Sequence, residues 1–147
     1  MNELKSLFTA LAMSVATISS AAIAQDGAGS LNITFTGIET QQGAVLGVLF
    51  DSEDAYNGKG APVRTIFVPA DKAEVATMLE GLKAGRYAIK TFHDLDGDHE
   101  MSTNPFGMPI EPFAFSNNAV GNMGPAKWAD AAFDVKDGEN SQRITIQ

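Results

Sequence analysis

The densest group of reactive side chains is His93-Asp94-Leu95-Asp96-Gly97-Asp98-His99-Glu100, with an acid at every second position from Asp94 to Glu100. In a tight loop this spacing can fold several carboxylates around one hard cation, with oxygen ligands at about 2.3–2.6 Å for calcium. Asn104 and Glu111 could complete the shell. The expected metal set is therefore Asp94, Asp96, Asp98, Glu100, Asn104 and Glu111, with calcium as the ion. An EF-hand is excluded, because His99 stands where its loop needs glycine and Pro105 where it needs a bidentate glutamate. The competing expectation is a solvated acidic turn whose aspartates accept hydrogen bonds from nearby backbone amides.

His93 and His99 flank this run and are the chain's two histidines, and Met101, Met108 and Met123 follow. Imidazole and thioether ligands suit zinc or copper, but an H-x5-H spacing is no recognised chelate and methionine more often fills core gaps. Farther on, Phe106, Phe113 and Phe115 alternate with turn formers and could line an apolar groove beside the acidic loop, together with His93, Ser116, Asn117 and Trp128. The alternative is that these rings close one end of the fold. No G-x-S-x-G surrounds Ser116 and no phosphate-binding glycine loop occurs, so neither hydrolase nor nucleotide chemistry has a motif.

These loops need a scaffold, and the composition bounds it. The 147 residues carry 10 Lys+Arg against 18 Asp+Glu, a formal charge of −8, with no cysteine. Such a surface argues against nucleic acid, whose binding depends on basic residues releasing counterions. It argues equally against anionic lipid headgroups. Without cysteine there is no disulfide, thiolate metal site or thiol nucleophile.

Residues 1–24 read as a cleaved signal peptide: Lys5, an apolar stretch from Leu7 to Ile18, then Ala22-Ile23-Ala24 as the cleavage pattern. The apolar stretch is too short and too broken by Ser and Thr for a membrane span, and the chain after it holds no transmembrane segment. The other reading is an amphipathic N-terminal helix. Residues 25–30 form a loose leader and 31–147 a single domain. The expected address is the periplasm or the exterior.

Within that domain, Leu31, Ile33 and Phe35 alternate with polar residues, and Ala44 to Phe50 is apolar on both faces, as an interior strand would be. Asp51 to Pro62 reads as a loop, and Val63 to Val68 and Arg86 to Phe92 as strands. Ala131 to Val135 and Arg143 to Gln147 form two more, around a turn at Lys136-Asp137-Gly138. Asp71 to Lys83 is ambiguous. Val75, Met78, Leu79 and Leu82 share a helical face, whereas Val75, Thr77 and Leu79 share a strand face. Asp94 to Asn118, with Pro105, Pro109 and Pro112, is one long loop, and loops of that length tend to be functional. Short strands separated by Gly/Asp turns predict an antiparallel β-sandwich of about seven strands. Leu82-x-x-Gly85-x-Tyr87 fits a tyrosine corner within it.

Three pieces together are specific: Leu82-x-x-Gly85-x-Tyr87-Ala88, His93-Asp94-x-Asp96-Gly97-Asp98, and Asn104-x-x-Gly107-x-Pro109-x-Glu111-x-x-x-Phe115-Ser116-Asn117-Asn118. With Ala131-x-Phe133, this string resembles the exported bacterial family known as domain of unknown function 2141, over essentially the whole chain after the leader. The resemblance implies a Greek-key sandwich similar to prealbumin and to carboxypeptidase regulatory domains, with a strand from Glu74 to Glu80. It brings no established activity. Where other members tend to show Asn in the acidic loop, this chain has Asp96 and Asp98, which would strengthen a cation site. The expected function is a binding or structural module of the cell envelope, with calcium ordering the loop and another envelope protein as partner. The alternative is a small-ligand carrier or enzyme using Asp94, Glu111 and the aromatic groove.

Overall fold

Leu31, Ile33 and Phe35 are fully buried while the residues between them face outward, so the first strand packs by period two. A computed structural model describes residues 28–147. The signal peptide expected at 1–24 and residues 25–27 of the leader lie outside the described residues. Gly29 and Ser30, expected in the loose leader, instead open the first strand, because they pair with Leu82, Gly138 and Glu139. Among the described residues, the strands are β1 (Gly29–Thr36), β2 (Ala44–Phe50), β3 (Arg64–Pro69), β4 (Val75–Leu82), β5 (Gly85–Asp94), β6 (Phe113–Phe115), β7 (Phe133–Val135) and β8 (Gly138–Thr145). Two one-turn helices, α1 (Glu53–Tyr56) and α2 (Trp128–Ala131), complete the set with a 3-10 turn at Ser116–Asn118.

The strands form two sheets. The smaller has the order β4-β1-β8; the larger has β3-β2-β5-β6, with β7 also pairing to β5. Inward residues of both, including Phe35, Leu49, Ile89 and Ile144, meet in one apolar core. The arrangement is sandwich-like and mostly β. It departs from the expected antiparallel pattern at one pairing: β1 and β8 run parallel, from Gly29↔Gly138 to Thr36↔Thr145. The chain crosses from β7 in the larger sheet to β8 in the smaller, so β8 arrives pointing the same way as β1.

The ambiguous segment is a strand, and its helix-like spacing has a structural cause. Val75 and Leu79 pair with Phe35 and Leu31, but the register shifts before Gly29↔Leu82. Gly81 sits at φ 71° there, a conformation open to glycine. The bulge resets which face is inward, so Leu82 is buried although it lies an odd number of residues from Leu79. Apolar spacing of four and then three therefore arises in a strand. Glu74, just ahead of β4, pairs with Arg143 of β8. The tyrosine corner is present: the Tyr87 hydroxyl donates to the carbonyl of Lys83 at 2.8 Å.

Several expected boundaries shift, and the strand expected from Ala131 begins only at Phe133, since Ala131 ends α2. The 51–62 loop contains α1, capped by Ser52, whose hydroxyl accepts from the Ala55 amide. The long loop ends at Pro112, because Phe113–Phe115 pair with Phe92–Lys90 of β5. The last strand begins at Gly138, five residues earlier than Arg143. A second apolar cluster lies on the outer face of the larger sheet, where Tyr56, Trp128 and Ala131 cover Phe50, Ala88 and Phe115. Tyr56 meets Phe50 and Trp128 edge-on, with ring centroids 5.6 and 5.7 Å away.

Candidate functional site

The outward positions of β5 read Ala88, Lys90, Phe92, Asp94, and each begins a different environment: the aromatic cluster, its border, a groove and the acidic loop. Asp94 ends the strand. Its Oδ1 accepts from the Gly97 amide at 2.7 Å and its Oδ2 from the His99 amide at 3.1 Å. Glu111 reaches in from the other end of the loop. Its Oε1 accepts from the Leu95 amide at 2.8 Å and its Oε2 from the Ser102 amide at 2.9 Å. The two buried carboxylates thus hold the first part of the loop, from Leu95 to Ser102, between them. Gly43 closes the base at φ 67°; a Cβ there would lie 1.9 Å from the Asp94 carbonyl oxygen. Gln42 adds a bond from its Nε2 to the Leu95 carbonyl.

Asp94, Asp96 and Glu111 offer one oxygen each within 4.8 Å of one another; Asp94 and Glu111 are buried and Asp96 is exposed. Among the described residues, no basic side chain forms an ion pair with any of the three. The carboxylate oxygens keep a lone pair after accepting an amide hydrogen, so this triad could bind a metal. Asp98 and Glu100 lie on the exposed rim outside this group. There Asp98 accepts from the Glu100 amide, and Asp96 from the Asp98 amide. Asn104 spends its side-chain oxygen on the amides of Phe106 and Met108. The loop therefore combines both expectations: aspartates closing backbone turns, and three acids converging.

The two histidines separate. His93 is buried with Nε2 2.7 Å from the Gln42 carbonyl oxygen, while His99 is exposed and packs edge-on against Phe67. The triad is the one group of three or more His, Asp or Glu ligands found together among the described residues. Zinc or copper chelation by both histidines has no geometric basis here.

A groove of about 1110 Å³ lies over the outer face of β2 and β5, lined by Leu46, Val48 and Phe92 below and by the 99–109 loop above. Phe106, Phe113 and Phe115 line it, as do Met101, Met108 and Met123. His93, Ser116, Asn117 and Trp128 do not. Ser116 is fully buried; its hydroxyl accepts from the Ile89 amide at 2.8 Å and donates to the Ala131 carbonyl at 2.6 Å. Asn117 and Asn118 take left-handed φ of 58° and 51°. Their side chains bind the carbonyl of Ala132 and the amide of Thr145. Ser116-Asn117-Asn118 is a splice that holds β6, β7 and β8 together.

Lys90 lines the groove and was not singled out by the pattern of β5, although it is the one Asp, Glu, Lys or Arg between Arg86 and Asp94 of that strand. Its ammonium donates to the Tyr56 carbonyl at 2.6 Å and lies 4.1 Å from the Tyr56 ring centroid and 5.5 Å from that of Phe50. Burial lowers its pKa from the usual lysine value. Burial also pushes the Tyr56 hydroxyl up to about 12, with the Asp130 charge adding to it.

No helix among the described residues is long and apolar enough to cross a membrane. No curated protein and no solved structure matches the chain. The family described as an uncharacterized protein conserved in bacteria (DUF2141) matches residues 33–143, from β1 through most of β8 and across the whole acidic loop. The chain belongs to the DUF2141 family.

Proposed function

We propose that this DUF2141 domain is an exported, Greek-key, prealbumin-like binding or structural module of the cell envelope, whose acidic loop is ordered by one calcium ion. The observation that carries the reading is the convergence of Asp94, Asp96 and Glu111 within 4.8 Å, two of them buried, without a basic partner among the described residues. Like charges held that close in a partly dry site repel, and a divalent cation relieves that repulsion. The backbone amides already fix the two buried carboxylates, so little side-chain entropy remains to be lost on binding. The signal-like residues 1–24 and the absence of cysteine support export to a periplasm or beyond.

The carrier alternative is favoured by one observation, the groove, and the enzyme alternative by none. Among the described residues no carboxylate lines the groove, so Asp94 and Glu111 do not face its contents. A thermal melt with calcium, with magnesium and with EDTA tests the calcium reading. A ligand that binds only the native state raises the midpoint with its concentration. The reading expects an upward shift with calcium that EDTA reverses. Identical melts at millimolar calcium would leave the loop as a set of backbone turns.

A further inference from the structure

We propose that the groove over β2 and β5 binds a single long-tailed amphiphilic anion, a fatty-acid-like carboxylate, with its head group at Lys90. The volume, about 1110 Å³, lies just above the roughly 300–1,000 Å³ usual for small-molecule sites, which suits an elongated ligand. The walls are apolar and adaptable. Phe106, Met108 and Met123 are 89%, 60% and 104% exposed, an unusual concentration of large apolar side chains left in water around one concavity.

The charge pattern selects the head group. The chain carries 18 acidic residues and a net charge of −8, yet none of the acids among the described residues lines the groove. Its one full cation is Lys90. Among the described residues this ammonium has a carbonyl and two aromatic faces for partners but no carboxylate. A half-buried cation without a counter-anion is costly, and an anionic head group would supply the missing charge where water is partly excluded. A cationic or zwitterionic amphiphile finds no carboxylate to meet it. An anionic bilayer surface is opposed by the protein's own charge, so the ligand is a single molecule rather than a membrane.

This site goes beyond the calcium reading, since the triad does not line the groove, although the loop that the triad closes forms its upper wall. The test titrates the purified protein with dansyl-labelled undecanoic acid, in calcium and in EDTA, and displaces the probe with palmitate, with the matching alcohol and with the matching quaternary ammonium. The expected result is one saturable site per chain, with palmitate displacing at least tenfold better than the other two. Lys90→Met should erase that preference, while Lys90→Arg retains it and both variants keep the native circular dichroism. Phe106→Asp, on an exposed loop position, should weaken all three competitors. The proposal is overturned by absence of saturable binding, by equal displacement with all three head groups, or by a preference that survives in Lys90→Met. It is also overturned if light scattering shows a dimer that the probe cannot enter. Probe binding without a calcium-dependent melt sinks the calcium reading alone; a calcium-dependent melt without probe binding sinks this one alone.

Discussion

The hydroxyl oxygen of Ser116 lies 2.8 Å from the amide nitrogen of Ile89, filling the place on the edge of β5 between the end of β6 and the start of β7. Lys90 pairs with Phe115 and Tyr87 with Phe133, so the backbone ladder is broken between them. One side chain bridges the break, accepting from Ile89 and donating to Ala131. This detour lets the chain leave the sheet, build α2 over the aromatic cluster and return.

Ser116→Ala should therefore destabilise the fold. A buried amide and a buried carbonyl lose their partner, at a cost of roughly 1–3 kcal/mol for an unsatisfied buried group. Urea denaturation should show a lower midpoint with an unchanged slope. A midpoint equal to that of the unmodified protein would mean that water replaces the hydroxyl freely.

Glu111→Ala should open the loop at both ends, because the amides of Leu95 and Ser102 lose their acceptor. The expected cost is again about 1–3 kcal/mol. Hydrogen exchange at those two amides should accelerate selectively. Asp98→Ala removes an exposed turn bond and should change stability by less than about 0.5 kcal/mol. Equal effects of the two substitutions would contradict the division between converging and rim acids.

Alkaline pH should destabilise the protein through Tyr56. Its folded pKa, about 12, lies above the ordinary tyrosine value of 10.0, so the native state holds a proton that the unfolded chain releases. The stabilisation is complete below about pH 10 and is lost as pH rises towards 12. Tyr87 is raised as well, chiefly by burial. Tyrosinate absorbance should appear at higher pH in the folded protein than in guanidinium, and Tyr56→Phe should flatten the fall in stability over that range. Coincident titration of folded and unfolded protein would contradict a buried Tyr56 hydroxyl bonded to the Ala126 carbonyl.

Much of the scaffold was legible because period-two burial leaves a direct mark: Leu31, Ile33 and Phe35, or Tyr87, Ile89 and Thr91, announce their faces. The bulge at Gly81 was hidden because it turns a strand's spacing into a helix's; the family resemblance implied the strand there, and the pairing with β1 shows it. The parallel β1/β8 pair was hidden for another reason, since strand direction depends on which sheet the chain crosses to. At the loop, the alternating acids marked a charged turn but not the direction of each side chain. Asp94 and Glu111 bend inward because each meets two backbone amides of residues 95–102, whereas Asp98 meets only the amide of Glu100. Lys90 left almost no mark, as its meaning lies in the missing carboxylate around it.

Calorimetric titration of the purified protein with calcium, beside Asp96→Asn, tests the central claim most directly. Asp96 is the exposed member of the triad, so its replacement leaves the amide bonds of Asp94 and Glu111 in place. The account predicts one calcium site per chain, of the strength seen in extracellular modules, about 10⁻⁴–10⁻³ M or tighter, and weakened at least tenfold in Asp96→Asn. No saturable heat at millimolar calcium from a correctly folded protein, or equal binding by Asp96→Asn, would contradict it.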